Sequence, residues 1–145
     1  MKKIKLILIP FAMLFMLLNT FNVQADDGFA EKHIVLQISQ PERQTLVMNV
    51  ANNIIKHYGQ DKVAIEIVAF GPGLKILFAN NEISSPRIES LQASGVKFSA
   101  CMNTMAAIKK KTGKEPKLNK HSVQVAAGVV QILDLVDKGY TLIKP

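Results

Sequence analysis

The chain has 145 residues, of which 48% are hydrophobic, 20% charged and 6% aromatic. That balance excludes an intrinsically disordered polymer and suits one globular domain, while a single cysteine excludes an internal disulfide framework and multi-cysteine zinc sites. The formal net charge of +7 would suit a nucleic-acid binder, but the charge is unevenly spread.

The first 25 residues stand apart. Lys2, Lys3 and Lys5 form a basic start, Leu6 to Leu18 is an apolar run broken only by Pro10, and Val23-Gln24-Ala25 precedes Asp26-Asp27. This is the pattern of a secretory signal peptide cleaved after Ala25. The apolar run spans 13 residues, short of the ~20 that cross a bilayer as a helix. The expectation is therefore a signal peptide over 1–25 and one domain over 26–145, periplasmic or secreted, with no stable membrane insertion after cleavage. Three of the 18 basic residues lie in the signal, which leaves 15 Lys and Arg against 11 Asp and Glu, a net +4. Much of that excess is Lys109, Lys110, Lys111, Lys114, Lys117 and Lys120. They read as a solvated helix end and loop, since lysines suit a helix C-terminus. Neither an arginine-rich nor an aromatic stripe accompanies them, which argues against nucleic acid as a partner.

From residue 26 onward strand-like and helix-like segments alternate. His33 to Ser39 is a short apolar run bounded by Pro41, and predicts a first strand. Pro41 opens a helical segment in which Leu46, Val47, Val50, Ala51, Ile54 and Ile55 recur at helical spacing until Gly59. Val63 to Phe70 is β-branched and nearly all apolar, as a strand buried on both faces is, and Gly71-Pro72-Gly73 ends it. A short helix is expected from Leu74 to Ala79 and another from Pro86 to Ala93, closed by Gly95. Val96 to Ala100 predicts a third strand that runs straight into a helix from Met102 to Lys111, stopped at Gly113. His121 to Val125 reads as a fourth strand, Val129 to Lys138 as the last helix and Tyr140 to Ile143 as a closing strand. Apolar strands separated by helices predict an α/β fold, a three-layer α/β/α domain with a mostly parallel five-stranded sheet. Ligands of such sheets bind outside the carboxyl ends of the strands. Four segments fall there: Ser39-Gln40, Gly71-Pro72-Gly73, Cys101 to Thr104, and Ala126 to Gly128.

Cys101 is the candidate for chemistry, because the junction of a strand and a helix places its sulfur beside free backbone N–H groups. A helix N-terminus stabilises a thiolate, the form that attacks sulfur electrophiles and carries a persulfide. The competing reading is a small buried hydrophobe, and position alone leaves both open. Gly71, Pro72 and Gly73 form a tight turn that could face Cys101 but lacks the pattern of a phosphate loop. Asn103 and Thr104 offer hydrogen-bonding groups in the first helical turn after the cysteine, with capping as the plainer role. His33, His57 and His121 form no metal pair and no dyad with the cysteine. Asp134 and Asp137 read as surface residues of the last helix.

The stretch Gly95-Val96-Lys97-Phe98-Ser99-Ala100-Cys101-Met102-Asn103-Thr104-Met105 resembles the DsrE/DsrF-like family, in its small, single-domain YchN-like branch. The opening strand, the Phe70-Gly71-Pro72-Gly73 turn and the ending Gly139-Tyr140-Thr141-Leu142-Ile143-Lys144-Pro145 extend the resemblance over about residues 31 to 145. It implies a parallel five-stranded sheet between helices, assembly into trimers or hexamers, and a cysteine at the end of the third strand, here Cys101, that accepts and passes on sulfur as a persulfide. Sulfur-relay members are cytoplasmic and follow that cysteine with an arginine-rich helix start, whereas Met102-Asn103-Thr104-Met105 stands here.

Two expectations follow. One is an exported sulfur carrier or thiol-reactive protein that uses Cys101, needs no metal or organic cofactor, and exchanges sulfur with donor and acceptor partners. The other is a non-catalytic, oligomeric module that binds a small ligand or partner at the same sheet edge, with Cys101 as a pocket or core residue. Thiol accessibility separates them. An apolar last helix and edge strand also favour self-association.

Overall fold

The computed structural model describes residues 29–145. The expected signal peptide and its expected cleavage site after Ala25 lie outside the described residues. Five strands, β1 (Lys32–Ile38), β2 (Val63–Ala69), β3 (Lys97–Cys101), β4 (Ser122–Val125) and β5 (Thr141–Ile143), form one sheet in the order β4-β3-β2-β1-β5. Every neighbouring pair is parallel. Four α-helices connect them: α1 (Gln44–Tyr58), α2 (Ser85–Ala93), α3 (Met102–Thr112) and α4 (Gly128–Asp137). The architecture is the expected α/β fold, with helices packed on both faces of a parallel sheet.

Alternation along the strands sorts the side chains into two unequal layers. Ile34, Leu36 and Ile38 of β1, Ile65, Ile67 and Ala69 of β2, and Phe98 and Ala100 of β3 face α1, α2 and Met105 of α3 in one large core. On the opposite face Val35 and Val68 meet only Ile132 and Leu135 of α4, with Phe70 and Tyr140 at the margins. Each buried aliphatic side chain contributes ~2 kcal/mol, so most of the stability resides in the first layer. The chain explains the asymmetry: three successive connections rise on one face from β1 to β4, and α4 alone crosses back to reach β5.

Local differences from the sequence reading have simple causes. Pro41, without an N–H, opens a 3-10 turn at Pro41–Arg43 before α1 begins at Gln44. The helix expected at 74–79 is a 3-10 segment, Gly71–Leu77, which starts earlier because Gly73 packs directly on the end of β1. A Cβ on Gly73 would stand 2.6 Å from the Ile38 carbonyl oxygen and 2.8 Å from the Ser39 carbonyl carbon. Strand β2 is buried as predicted but carries a buried acid, Glu66, in its middle. Among the described residues no helix is long and apolar enough to cross a membrane.

Candidate functional site

The four segments placed by sequence at the carboxyl edge of the sheet do meet there. The Phe70 N–H donates to the Ile38 carbonyl, the Gly73 N–H to the Ser39 carbonyl at 2.9 Å, and the Asn103 N–H to the Ala126 carbonyl at 3.3 Å. The Gly71 N–H donates to the Thr104 hydroxyl oxygen at 2.9 Å, joining the turn after β2 to the first turn of α3, 33 residues on. Gly71 adopts φ 54°, the left-handed conformation that glycine tolerates.

Cys101 is both the last residue of β3 and the residue that caps α3. It alternates with Phe98 and Ala100, so its side chain leaves the sheet on the α4 face. There its sulfur meets two helix N-termini: the amides of Asn103 and Thr104 from α3, and the amide of Gly128, the first residue of α4. The Thr104 hydroxyl also faces it and lowers its pKa. The two α3 amides approach more loosely than a formal capping hydrogen bond, as suits a large, weak sulfur acceptor. Burial raises the thiol pKa, but the Thr104 hydroxyl and then the Gly128, Thr104 and Asn103 amides outweigh it, and the thiol lies below its ordinary value of 9.0. The thiol is nonetheless covered, with Cys101 only 5% exposed.

Thr104 therefore does two things. Its oxygen accepts from Gly71, which holds the hydroxyl in place beside the sulfur whose pKa it lowers. Gly71 acts on the site through this bond, while Gly73 is spent on the close approach to β1. Pro72 is exposed on the turn and, lacking an N–H, donates nothing there. Asn103 contributes its amide, and the residue itself is solvent-exposed. Gly128 was not singled out by sequence, although its segment was. Its role shows only in the packing: a Cβ there would stand 3.0 Å from the Phe70 side chain, so a larger residue would require Phe70 to shift.

The histidines stand elsewhere. His33 and His121 lie at the amino ends of their strands; His33 stacks edge-on with Tyr140 at 5.2 Å, and the Nε2 of His121 is buried with no hydrogen-bond partner. His57 is exposed beside Tyr58. Asp134 and Asp137 are exposed, as read. Among the described residues, no group of three or more His, Cys, Asp or Glu is placed to hold a metal. A groove of about 510 Å³ runs along α3 past Met105, Lys117, Leu118 and Gln124, beside the thiol's helix but without Cys101 in its wall. The lysine stretch is exposed and partly neutralised, with Lys109 paired to Glu115 at 2.9 Å and Lys120 to Glu89 at 3.9 Å.

No protein-family model matches the sequence, and comparison with curated proteins gives no match. Among solved structures the chain is similar to a protein of unknown function, MTH1491 from Methanobacterium thermoautotrophicum, at 27% identity and a TM-score of 0.69, over 79% of this chain and 99% of that one.

Proposed function

We propose that the protein is an exported, DsrE-like thiol-reactive sulfur carrier in which Cys101 holds sulfur as a persulfide. The observation that supports this reading is the ring of donors on a sulfur at the mouth of a parallel sheet. A cysteine kept only for packing sits among apolar groups and is inert, whereas this one is surrounded by amides and a hydroxyl that stabilise negative charge. In the proposed exchange the Cys101 thiolate attacks the outer sulfur of a donor persulfide; the donor S–S bond breaks, a new S–S bond forms on Cys101, and the donor leaves as a thiolate. An acceptor thiolate then attacks the outer sulfur and returns Cys101 to thiolate. Both steps are exchanges between sulfurs, without net oxidation. The same amides hold the charge whichever sulfur carries it.

The carrier works as a homo-oligomer, trimer or hexamer, in this reading. Val129, Val130, Leu133 and Val136 of α4 are all exposed. Val123 of β4 and Leu142 of β5 extend the apolar surface on the same side of the sheet, in register with Ser99 and Val35. A second copy covering α4 would bury this patch, whose extent is otherwise unusual for a monomer.

The 5% exposure of Cys101 favours a second reading, a non-catalytic oligomeric module that binds a small ligand or partner at this edge. Alkylation of the folded protein, followed by mass measurement after treatment with a sulfane-sulfur donor, separates the two. The carrier reacts at Cys101 while folded; the binding module reacts only when unfolded.

A further inference from the structure

The first turn of α4 is held by more than apolar packing, and the holding point lies one turn from Cys101's third amide. Glu66, in the middle of an otherwise aliphatic strand, is only 6% exposed. Its Oε1 accepts from the Ser99 hydroxyl at 2.6 Å and from the Gln131 side-chain amide at 2.8 Å. Ser99 precedes Cys101 by two residues on β3, so both leave the sheet on the same face. Gln131 follows Gly128 by three residues on α4, about one helical turn. The triangle thus joins the strand that carries the thiol, the central strand β2, and the helix whose first amide faces the sulfur. Lys97 stands beside Glu66 in the β2–β3 register, on this same face.

Apolar contact alone suffices to hold a helix against a sheet. What the polar contact adds is direction. A hydrogen bond restricts distance and angle, whereas Ile132 and Leu135 resting on Val35 and Val68 permit small slides of the helix. We propose that Glu66, Ser99 and Gln131 are positioning residues for Cys101: Gln131, anchored on Glu66, sets the rotation and height of the first turn of α4 so that the Gly128 amide stays on the sulfur. The inference rests on the thiolate reading of Cys101 but not on sulfur transfer.

Gln131→Met keeps the length of the side chain and removes the donor. Titration of the folded protein by ultraviolet thiolate absorbance reads Cys101 without requiring reagent access. Loss of one well-aimed amide lowers the thiolate fraction below the midpoint about threefold, a rise of ~0.5 in pKa. The Gly128 amide proton should follow the Cys101 titration by NMR in the wild type and lose that dependence in the variant. Ile132→Val loosens the same helix without touching the triangle, and leaves the thiol midpoint unchanged while lowering stability. Gln131→Leu gives a second variant with the same expectation. A midpoint in the Gln131 variants equal to wild type, or an equal shift in Ile132→Val, overturns the proposal. Sulfur loading is read separately: a thiol that titrates low and responds to Gln131 but takes up no sulfur refutes the carrier and leaves the positioning role standing.

Discussion

Thr104→Val is the sharpest perturbation of the thiol's surroundings, because valine preserves the shape of threonine and deletes one hydroxyl with two jobs. The hydroxyl faces the Cys101 sulfur, whose pKa it lowers, and accepts from the Gly71 N–H at 2.9 Å. A hydrogen bond to a charged group contributes ~1.5–3 kcal/mol, and a loosely held sulfur acceptor belongs at the lower end. A loss of about 1.4 kcal/mol raises the thiol pKa by about one unit and cuts the thiolate fraction at neutral pH about tenfold. The remaining thiolate is more basic and intrinsically more nucleophilic, with a Brønsted slope of ~0.4–0.5. Iodoacetamide labelling at pH 7 should therefore slow only about threefold to fourfold, while the plateau rate at high pH rises about threefold. The two pH–rate profiles cross. Loss of the acceptor for Gly71 also destabilises the fold by about 1 kcal/mol, readable by urea denaturation, and Thr104→Ser restores both quantities. A labelling midpoint unchanged in Thr104→Val, or rates that fall equally at all pH values, would refute the electrostatic account and reduce Thr104 to a packing residue.

Other predictions test neighbouring links. Gly73→Ala forces a methyl group against the backbone of Ile38 and Ser39 and should lower stability by about 2–3 kcal/mol. Gly71→Ala, whose Cβ meets nothing closer than 3.9 Å, should cost about 1 kcal/mol through its positive φ alone; equal losses in the two variants would contradict the close-approach argument. Because the folded state holds the Cys101 pKa below its unfolded value, the thiolate stabilises the fold fully above the ordinary value of 9.0, and this contribution disappears as pH falls through the folded-state value. Wild type should gain stability over Cys101→Ala as pH rises toward 9.0, by at most about 1.4 kcal/mol per pH unit; a pH-independent difference would contradict the depressed pKa. If the proposed assembly forms through the exposed face of α4, Leu133→Asp shifts sedimentation toward monomer with helicity intact, and unchanged sedimentation would refute that interface.

Much of this architecture is written in short-range patterns. The runs His33 to Ser39 and Val63 to Phe70 announce parallel strands because both faces are covered, and Gly59 and Gly113 end helices where sequence places them. The strand-to-helix junction alone puts Cys101 at the ligand edge. The chemistry around it is less legible because its parts come from distant segments. Thr104 looks like an ordinary helix-start residue until Gly71 is seen to hold its hydroxyl in place. Gly128 is an unremarkable glycine until Phe70 lies against it. Glu66 leaves one trace, a lone acid inside an aliphatic strand, but its partners Ser99 and Gln131 are 33 and 65 residues away, and no periodicity links them. Pro72 and Gly73 read as candidate site residues because turns at strand ends often are, and the structure adds that they bend the chain and let it pass close to β1.

The most direct measurement is the mass of Cys101 after the folded protein is incubated with a sulfane-sulfur donor, beside its alkylation rate as a function of pH. The carrier account predicts a thiol midpoint below 9.0 and a gain of about 32 Da, one sulfur atom, at Cys101. The added sulfur should pass to a second thiol, and Cys101→Ser should abolish the uptake. A thiol that neither alkylates nor gains sulfur until the protein is unfolded would contradict the account and leave the edge of the sheet as a binding surface.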